Sequence, residues 1–232
     1  MTTKEILQRA RTEKRSVLTE IEAKQILQEA GIECTNTKLA ANKDEAVLLS
    51  EKIGYPVVLK ISSVDITHKS DAGGVKINLK NKEAVESAFD EIMNACTSQF
   101  PEADIEGISV QGMAEPGTEV IIGMTNDPSF GPVLMFGLGG VFVEVLKDVS
   151  FRIVPIEKVD ASEMISEIKG RKLLEGYRGH DPADIPFLED MLLKLSNFVD
   201  NTPGIQEIDM NPVFAYKSGA MVVDARIILE EQ

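Results

Sequence analysis

Glu207-Ile208-Asp209-Met210-Asn211 alternates oxygen-bearing and apolar side chains without a break. A period of two is that of a β-strand, so Glu207, Asp209 and Asn211 share one face and Ile208 and Met210 the other. Lys217-Ser218-Gly219 supplies turn residues, and residues 221–228 read as the returning strand. Folding back through that turn brings Asp224 nearly opposite Asn211. Oxygen donors converging across a hairpin suit Mg2+ carried with nucleotide phosphates, because that ion keeps waters and takes few protein ligands. An acidic stripe on an exposed strand would give the same alternation. Arg226 shares the strand face of Asp224, a place suited to an anion beside the metal.

Upstream, Leu188, Met191, Leu192, Leu195, Phe198 and Val199 recur at helical spacing after Pro186 in the first turn. Before them, Val120-Ile121-Ile122-Gly123, Val133-Leu134-Met135-Phe136 and Ile153-Val154 are short, β-rich and punctuated by Asn126-Asp127-Pro128, which predicts an antiparallel sheet. Arg152, between Phe151 and Ile153, would be unusual in a core without an anion or carboxylate to pair with. Phe136-Gly137-Leu138-Gly139-Gly140-Val141-Phe142-Val143-Glu144 sets glycines before an apolar strand and a carboxylate, and matches neither the dinucleotide fingerprint nor the P-loop.

The first half reads differently. Thr19-Glu20-Ile21-Glu22 is a capping box opening a helix with Ile21, Ile26, Leu27 and Ala30 apolar, closed by Gly31. Residues 31–61 read as strand, helix, strand, with Asn42 as cap, Val47 and Leu48 facing the core, and Gly54-Tyr55-Pro56 ending the helix. Residues 74–79 alternate as a strand, Val85, Ala88, Phe89, Ile92 and Cys96 mark a helix, and Ser109-Val110-Gln111 belongs to another strand. Lys60 closes an otherwise apolar strand, either as a point charge for phosphate oxygens or as a lysine snorkelling from a strand end. In Thr67-His68-Lys69-Ser70-Asp71-Ala72-Gly73-Gly74-Val75 the paired glycines either open backbone N–H groups to a phosphate or make a plain turn. His68 just before them can take a phosphoryl group on a ring nitrogen, since imidazole is substantially neutral and nucleophilic near pH 7; a hydrogen-bonded loop histidine is the other reading.

Composition narrows the field. Among 232 residues, 24 Lys+Arg stand against 38 Asp+Glu for a net charge of −14, which speaks against a phosphate-tracking surface for nucleic acid. Trp is absent, so a base-stacking platform is poorly supplied. No run of 18 apolar residues predicts a membrane span, and no secretion-signal layout opens the chain, so a soluble, cytoplasmic protein is expected. Cys34 and Cys96 stand too far apart for a C-x-x-C motif and are expected as buried free thiols. The length suits two subdomains around one site.

Taken together, Tyr55-Pro56-Val57-Val58-Leu59-Lys60, His68 to Val75, Gly139 to Glu144 and Glu207-Ile208-Asp209-Met210-Asn211-Pro212 resemble the ATP-grasp β subunits of ADP-forming acyl-CoA synthetases, relatives of succinyl-CoA synthetase, over nearly the whole chain. The resemblance implies an α+β ATP-grasp fold whose two subdomains clasp the nucleotide, a lid of residues 1–111 including the amino-terminal helix and a main subdomain of residues 112–232. It implies Lys60 at the nucleotide phosphates, with Gly73 and Gly74 nearby. Gln111, Gly112 and Met113 would form the hinge beside adenine, and Glu119 and Glu144 the acidic positions near ribose and metal. Arg152 and Arg226 would be phosphate-facing arginines, and Asn211 and Asp224 the Mg2+ ligands. His68 would carry a phosphoryl group between ATP or ADP and a CoA-binding α subunit, in an α2β2 assembly running acyl-CoA + ADP + phosphate to acid + CoA + ATP. Two rivals remain at this stage: an ATP-grasp ligase acting through a direct acyl phosphate, and a non-catalytic nucleotide-sensing module.

Overall fold

A computed structural model of the chain describes residues 1–66, 68–140, 146–177 and 181–231. Its elements run α1 (Thr3–Thr12), α2 (Glu20–Glu29), β1 (Thr37–Ala40), α3 (Lys43–Ile53), β2 (Val57–Ser62), β3 (Val75–Leu79), α4 (Lys82–Gln99) and β4 (Gly107–Gly112). They continue with β5 (Thr118–Asp127), β6 (Gly131–Leu138), β7 (Val149–Ile153), α5 (Lys158–Glu167), α6 (Arg171–Leu174), α7 (Ile185–Asp200), β8 (Ile205–Ala215), β9 (Ala220–Val222) and β10 (Ala225–Leu229). No helix among the described residues is long and apolar enough to cross a membrane.

The chain divides into two compact units, one of residues 1–18, 22–34 and 116–232, the other of 19–21 and 35–115. The expected boundary at 111/112 is therefore corrected in one respect: most of the first 34 residues fold with the carboxy-terminal half. The reason is burial. Ile6, Leu7, Ala10, Leu18, Ala23, Ile26 and Leu27 lie in one apolar core with the strands and helices that follow residue 116. Backbone bonds reinforce this, since the Leu18 N–H donates to the Ile227 carbonyl at 3.0 Å and the Val222 N–H to the Glu33 carbonyl at 2.9 Å.

In this larger unit the strands lie in the order β10-β8-β5-β6-β7, with β9 also on β8 and every pair antiparallel. Asp184 caps α7 by accepting from the Phe187 N–H, and Leu188, Met191, Leu192, Leu195 and Val199 form its buried stripe. The returning strand of the hairpin is split into β9 and β10 at Val223-Asp224. Pro212 opposite has no N–H to donate, its carbonyl accepting from the Val223 N–H at 3.0 Å, so the ladder breaks there.

The smaller unit is an antiparallel sheet in the order β1-β4-β2-β3, with α3 and α4 on one face. Asn42 and Asn81 cap those helices through the N–H groups of Glu45 and Ala84. Leu48, expected in the core, is 50% exposed. The buried face of α3 is Ala46, Val47 and Ser50, and at 100° per residue Leu48 falls outside that stripe. Leu59 and Ile61 of β2 join the core under the helices. Val58, Lys60 and Ser62 therefore point to the opposite face, alongside Ser109 and Gln111 of β4.

Candidate functional site

In the larger unit the hairpin forms as the alternation predicts. Ile208 and Met210 are buried, Glu207 and Asp209 half-buried and Asn211 exposed. The Asn211 N–H donates to the Asp224 carbonyl at 3.2 Å, so the two expected ligands are neighbours across the hairpin. One Asp224 carboxylate oxygen accepts the Ala225 N–H at 2.9 Å, which fixes its side chain. Val120 pairs with Val213 but Ile122 with Met210, so Asn211 and Pro212 together face Ile121 as a bulge. Bulges re-aim side chains at strand ends.

Asp209 belongs with this group. Burial pushes its carboxyl above the usual carboxylate range, with Arg226 pulling it down and Glu207 and Asp224 adding to the rise. Arg226 is Asp209's cross-strand partner and donates to Glu207 at 2.5 Å. Its Nε is buried with no hydrogen-bond partner among the described residues. An orphaned guanidinium N–H beside oxygen donors fits an incoming anion such as a phosphate oxygen. Asp209, Asn211 and Asp224 offer only oxygen, the donor set that suits Mg2+. Among the described residues no cluster of three or more His, Cys, Asp or Glu forms a metal cage, and two carboxylates with one amide match an ion that keeps most of its waters.

Glu119 projects from β5 on the same sheet face, four residues from Gly123, which pairs with Asp209. The glycine-rich loop presses on it: the Gly139 N–H donates to the Glu119 carbonyl at 2.8 Å, and a Cβ on Gly139 would lie 3.0 Å from the Glu119 Cβ. Glu144 lies outside the described residues. Arg152 is corrected. It pairs with Leu134, which aligns through Met124 with Ile208, all on the helix-covered face. Its guanidinium is bound by Glu163 and Glu167 of α5. It is neither a core residue nor on the face of Asp209 and Arg226.

In the smaller unit Lys60 is buried at 5% exposure, its ammonium donating to the Glu20 carboxylate at 2.8 Å. Lys69 donates to the other oxygen of Glu20 at 2.7 Å. His68, the residue before Lys69, is exposed. Gly73 and Gly74 are corrected as phosphate donors: their N–H groups are spent on the carbonyls of Ser70 at 3.1 Å and Lys69 at 2.7 Å. Gly73 is glycine for its φ of +68°, and Gly74 because a Cβ there would come within 2.6 Å of Ile61. Gln111 is buried in β4, its side-chain oxygen accepting from Thr35 and Thr37. Gly112 pairs with Val57, and the Met113 N–H donates to the Pro56 carbonyl at 3.0 Å. Glu20 and Lys69 were not legible as site residues: Glu20 reads as part of a helix-opening box, and Lys69 as a loop residue beside His68. Asp209 was, through the alternation.

An ATP-grasp domain family matches residues 9–229. The chain is 52% identical over 226 residues to the β subunit of ADP-forming acetate–CoA ligase I of Pyrococcus furiosus, covering 97% of each. The chain belongs to the ATP-grasp family of ADP-forming acetate–CoA ligase β subunits. In Archaeoglobus fulgidus an ADP-forming acetate–CoA ligase 49% identical to it over 89% of this chain is a longer protein, of which the match occupies 30%. The ATP-grasp fold is equally plain in solved structures. The dinucleotide-forming acetyl-coenzyme A synthetase 1 of Ca. Korarchaeum cryptofilum, in complex with coenzyme A, Ca-AMPCP and HgCl+, superposes with a TM-score of 0.96 at 49% identity, covering 98% of this chain and all of that one. A second complex of that enzyme holds coenzyme A and Mg-AMPPCP, with its phosphohistidine segment pointing towards the nucleotide-binding site, at a TM-score of 0.87, 46% identity and the same coverage.

Proposed function

We propose that this chain is the nucleotide-binding β subunit of an ADP-forming acyl-CoA synthetase, an acid–thiol ligase, in which His68 relays a phosphoryl group between a phosphohistidine of a CoA-binding α partner and Mg-ADP. The observation that carries the reading is the exposed imidazole of His68 next to Lys69, in a sheet unit whose Lys60 shares a carboxylate with that lysine. Identity to a β subunit over 97% of each chain supports the assignment, and the longer Archaeoglobus relative, of which the match occupies 30%, fits a reaction that needs a CoA-binding part beside this domain. We infer an α2β2 assembly and a cytoplasmic setting, where buried free thiols such as Cys34 and Cys96 are at home.

In the synthetic direction a terminal phosphate oxygen of ADP forms the new P–O bond to the phosphoryl group on His68 as the N–P bond breaks. The ring nitrogen keeps the electron pair and the imidazole returns to its neutral form. In the smaller unit Lys60 is the cation read as meeting phosphate; in the larger unit Arg226 would neutralise phosphate charge, and Asn211 and Asp224, with Asp209 beside them, would hold Mg2+. That ion supplies charge neutralisation at the phosphate oxygens when bound. Glu119 faces the nucleotide's sugar side, and the resemblance puts Gln111 to Met113 beside the base.

The test is reconstitution with the CoA-binding subunit, following acetyl-CoA cleavage. Cleavage that requires both chains, ADP, phosphate and Mg2+ is expected. Nucleotide turnover that instead requires an added amine or thiol acceptor would move the chain to the direct acyl-phosphate ligases.

A further inference from the structure

One buried carboxylate outside the nucleotide and metal sets holds two cations. Glu20, at the start of α2, is 7% exposed and receives Lys60 on one oxygen and Lys69 on the other, at 2.8 and 2.7 Å. Each lysine serves a different end of the chemistry proposed above. Lys60 is anchored in the middle of the small sheet, paired with Val75 on one side and Ser109 on the other. Lys69 is covalently next to His68. Backbone bonds close the loop behind His68 on itself and tie its far end to β2: the Ala72 N–H donates to the His68 carbonyl, the Gly74 N–H to the Lys69 carbonyl, and the Ile61 N–H to the Gly74 carbonyl, at 3.2, 2.7 and 2.8 Å. Lys69 is the side-chain anchor at its near end.

The Glu20 carboxylate holds both lysines in place, restricting side-chain freedom they would otherwise keep. Removing the carboxylate frees both lysines and takes away the loop's side-chain anchor, while its backbone bonds remain. Its effect should fall on placement of His68 more than on attraction of the nucleotide.

We propose that Glu20 is a positioning residue that ties the phosphate-binding lysine and the phosphoryl-carrying loop to one point through Lys60 and Lys69. This rests on the reading of Lys60 and His68 given above. The test is transfer of label from γ-phosphate-labelled ATP with Mg2+ to this chain assembled with its CoA-binding partner, in Glu20→Gln, Lys69→Met and the double variant, with nucleotide Kd measured alongside. Because small misplacements of a reacting group cost far more in rate than in binding, each single variant should slow labelling about tenfold or more with Kd within about threefold. The double variant should be no slower than the slower single one, since both remove the same tie. Glu20→Asp should recover part of the labelling rate. Labelling at the wild-type rate in Glu20→Gln, or effects that multiply in the double variant, would overturn the inference. If Glu20→Gln fails to fold, Lys69→Met decides it: an unchanged labelling rate overturns the tie. Wild-type enzyme that takes no label at His68 fails differently, removing the relay reading itself and this inference with it.

Discussion

Arg152 and Arg226 stand on opposite faces of one sheet. Arg226, Asp209, Gly123, Met135 and Phe151 form one cross-strand row, while Arg152 lies in the adjacent row with Leu134, Met124, Ile208 and Ile227. Paired residues share a face and successive residues alternate. Arg152 is thus directed to α5, where Glu163 and Glu167 bind it and raise its already high pKa. Replacing Arg152 with Ala should leave the Kd for Mg-ATP within about twofold, whereas Arg226→Ala should weaken it by about tenfold or more, near 1.4 kcal/mol. Calorimetry on both variants checks this, and equal losses would put both arginines on the nucleotide.

The hairpin makes a separate prediction. Asn211→Ala and Asp224→Ala should each weaken nucleotide binding in the presence of Mg2+ by about tenfold or more and leave metal-free ADP binding nearly unchanged. Titrations with Mg2+ and with EDTA distinguish the two cases. Unchanged Mg2+ dependence would remove these residues from the metal site.

Gly73 and Gly74 should prove structural. Gly74→Ala must push against Ile61 Cγ2 and the Lys69 carbonyl, at a cost of about 1–3 kcal/mol in denaturant unfolding. Gly73→Ala, at φ +68°, should cost about 1 kcal/mol. Nucleotide Kd in the folded variants should stay near wild type, because neither N–H is open to a phosphate.

Cys34 should be unreactive in the folded chain. Burial pushes its thiol up to about 12, with Lys24 pulling weakly the other way. Burial also raises Cys96. At pH 8 both should resist a thiol reagent until the chain is unfolded. The sign for stability follows from linkage: the unfolded chain loses the Cys34 proton near its ordinary value of 9.0, the folded chain only near 12. Stability should therefore fall as pH rises through that window, and Cys34→Ala should flatten the fall.

Much of this architecture was legible because it is written in period and punctuation. The alternation at 207–211 gave the strand, its two faces and the position of Asp224 across the turn. Asn42 and Pro186 stand at the helix starts, where their chemistry belongs. Arg152 misled because a cation between two apolar neighbours, Phe151 and Ile153, suggests a buried site, yet both neighbours are about half exposed and the arginine is the residue that faces the helices. The glycine pair misled because freedom of φ serves a turn as well as a phosphate cradle. Glu20 could not be found at all from local sequence: its meaning comes from Lys60 and Lys69, 40 and 49 residues further on.

The most direct measurement of the His68 relay is incubation of the purified chain, assembled with its CoA-binding partner, with γ-phosphate-labelled ATP and Mg2+, in wild type and His68→Ala. Acid-labile, alkali-stable label is expected on the wild-type chain and none on the variant, which should still bind Mg-ATP. Equal labelling of both, or full synthetase activity in His68→Ala, would contradict the relay.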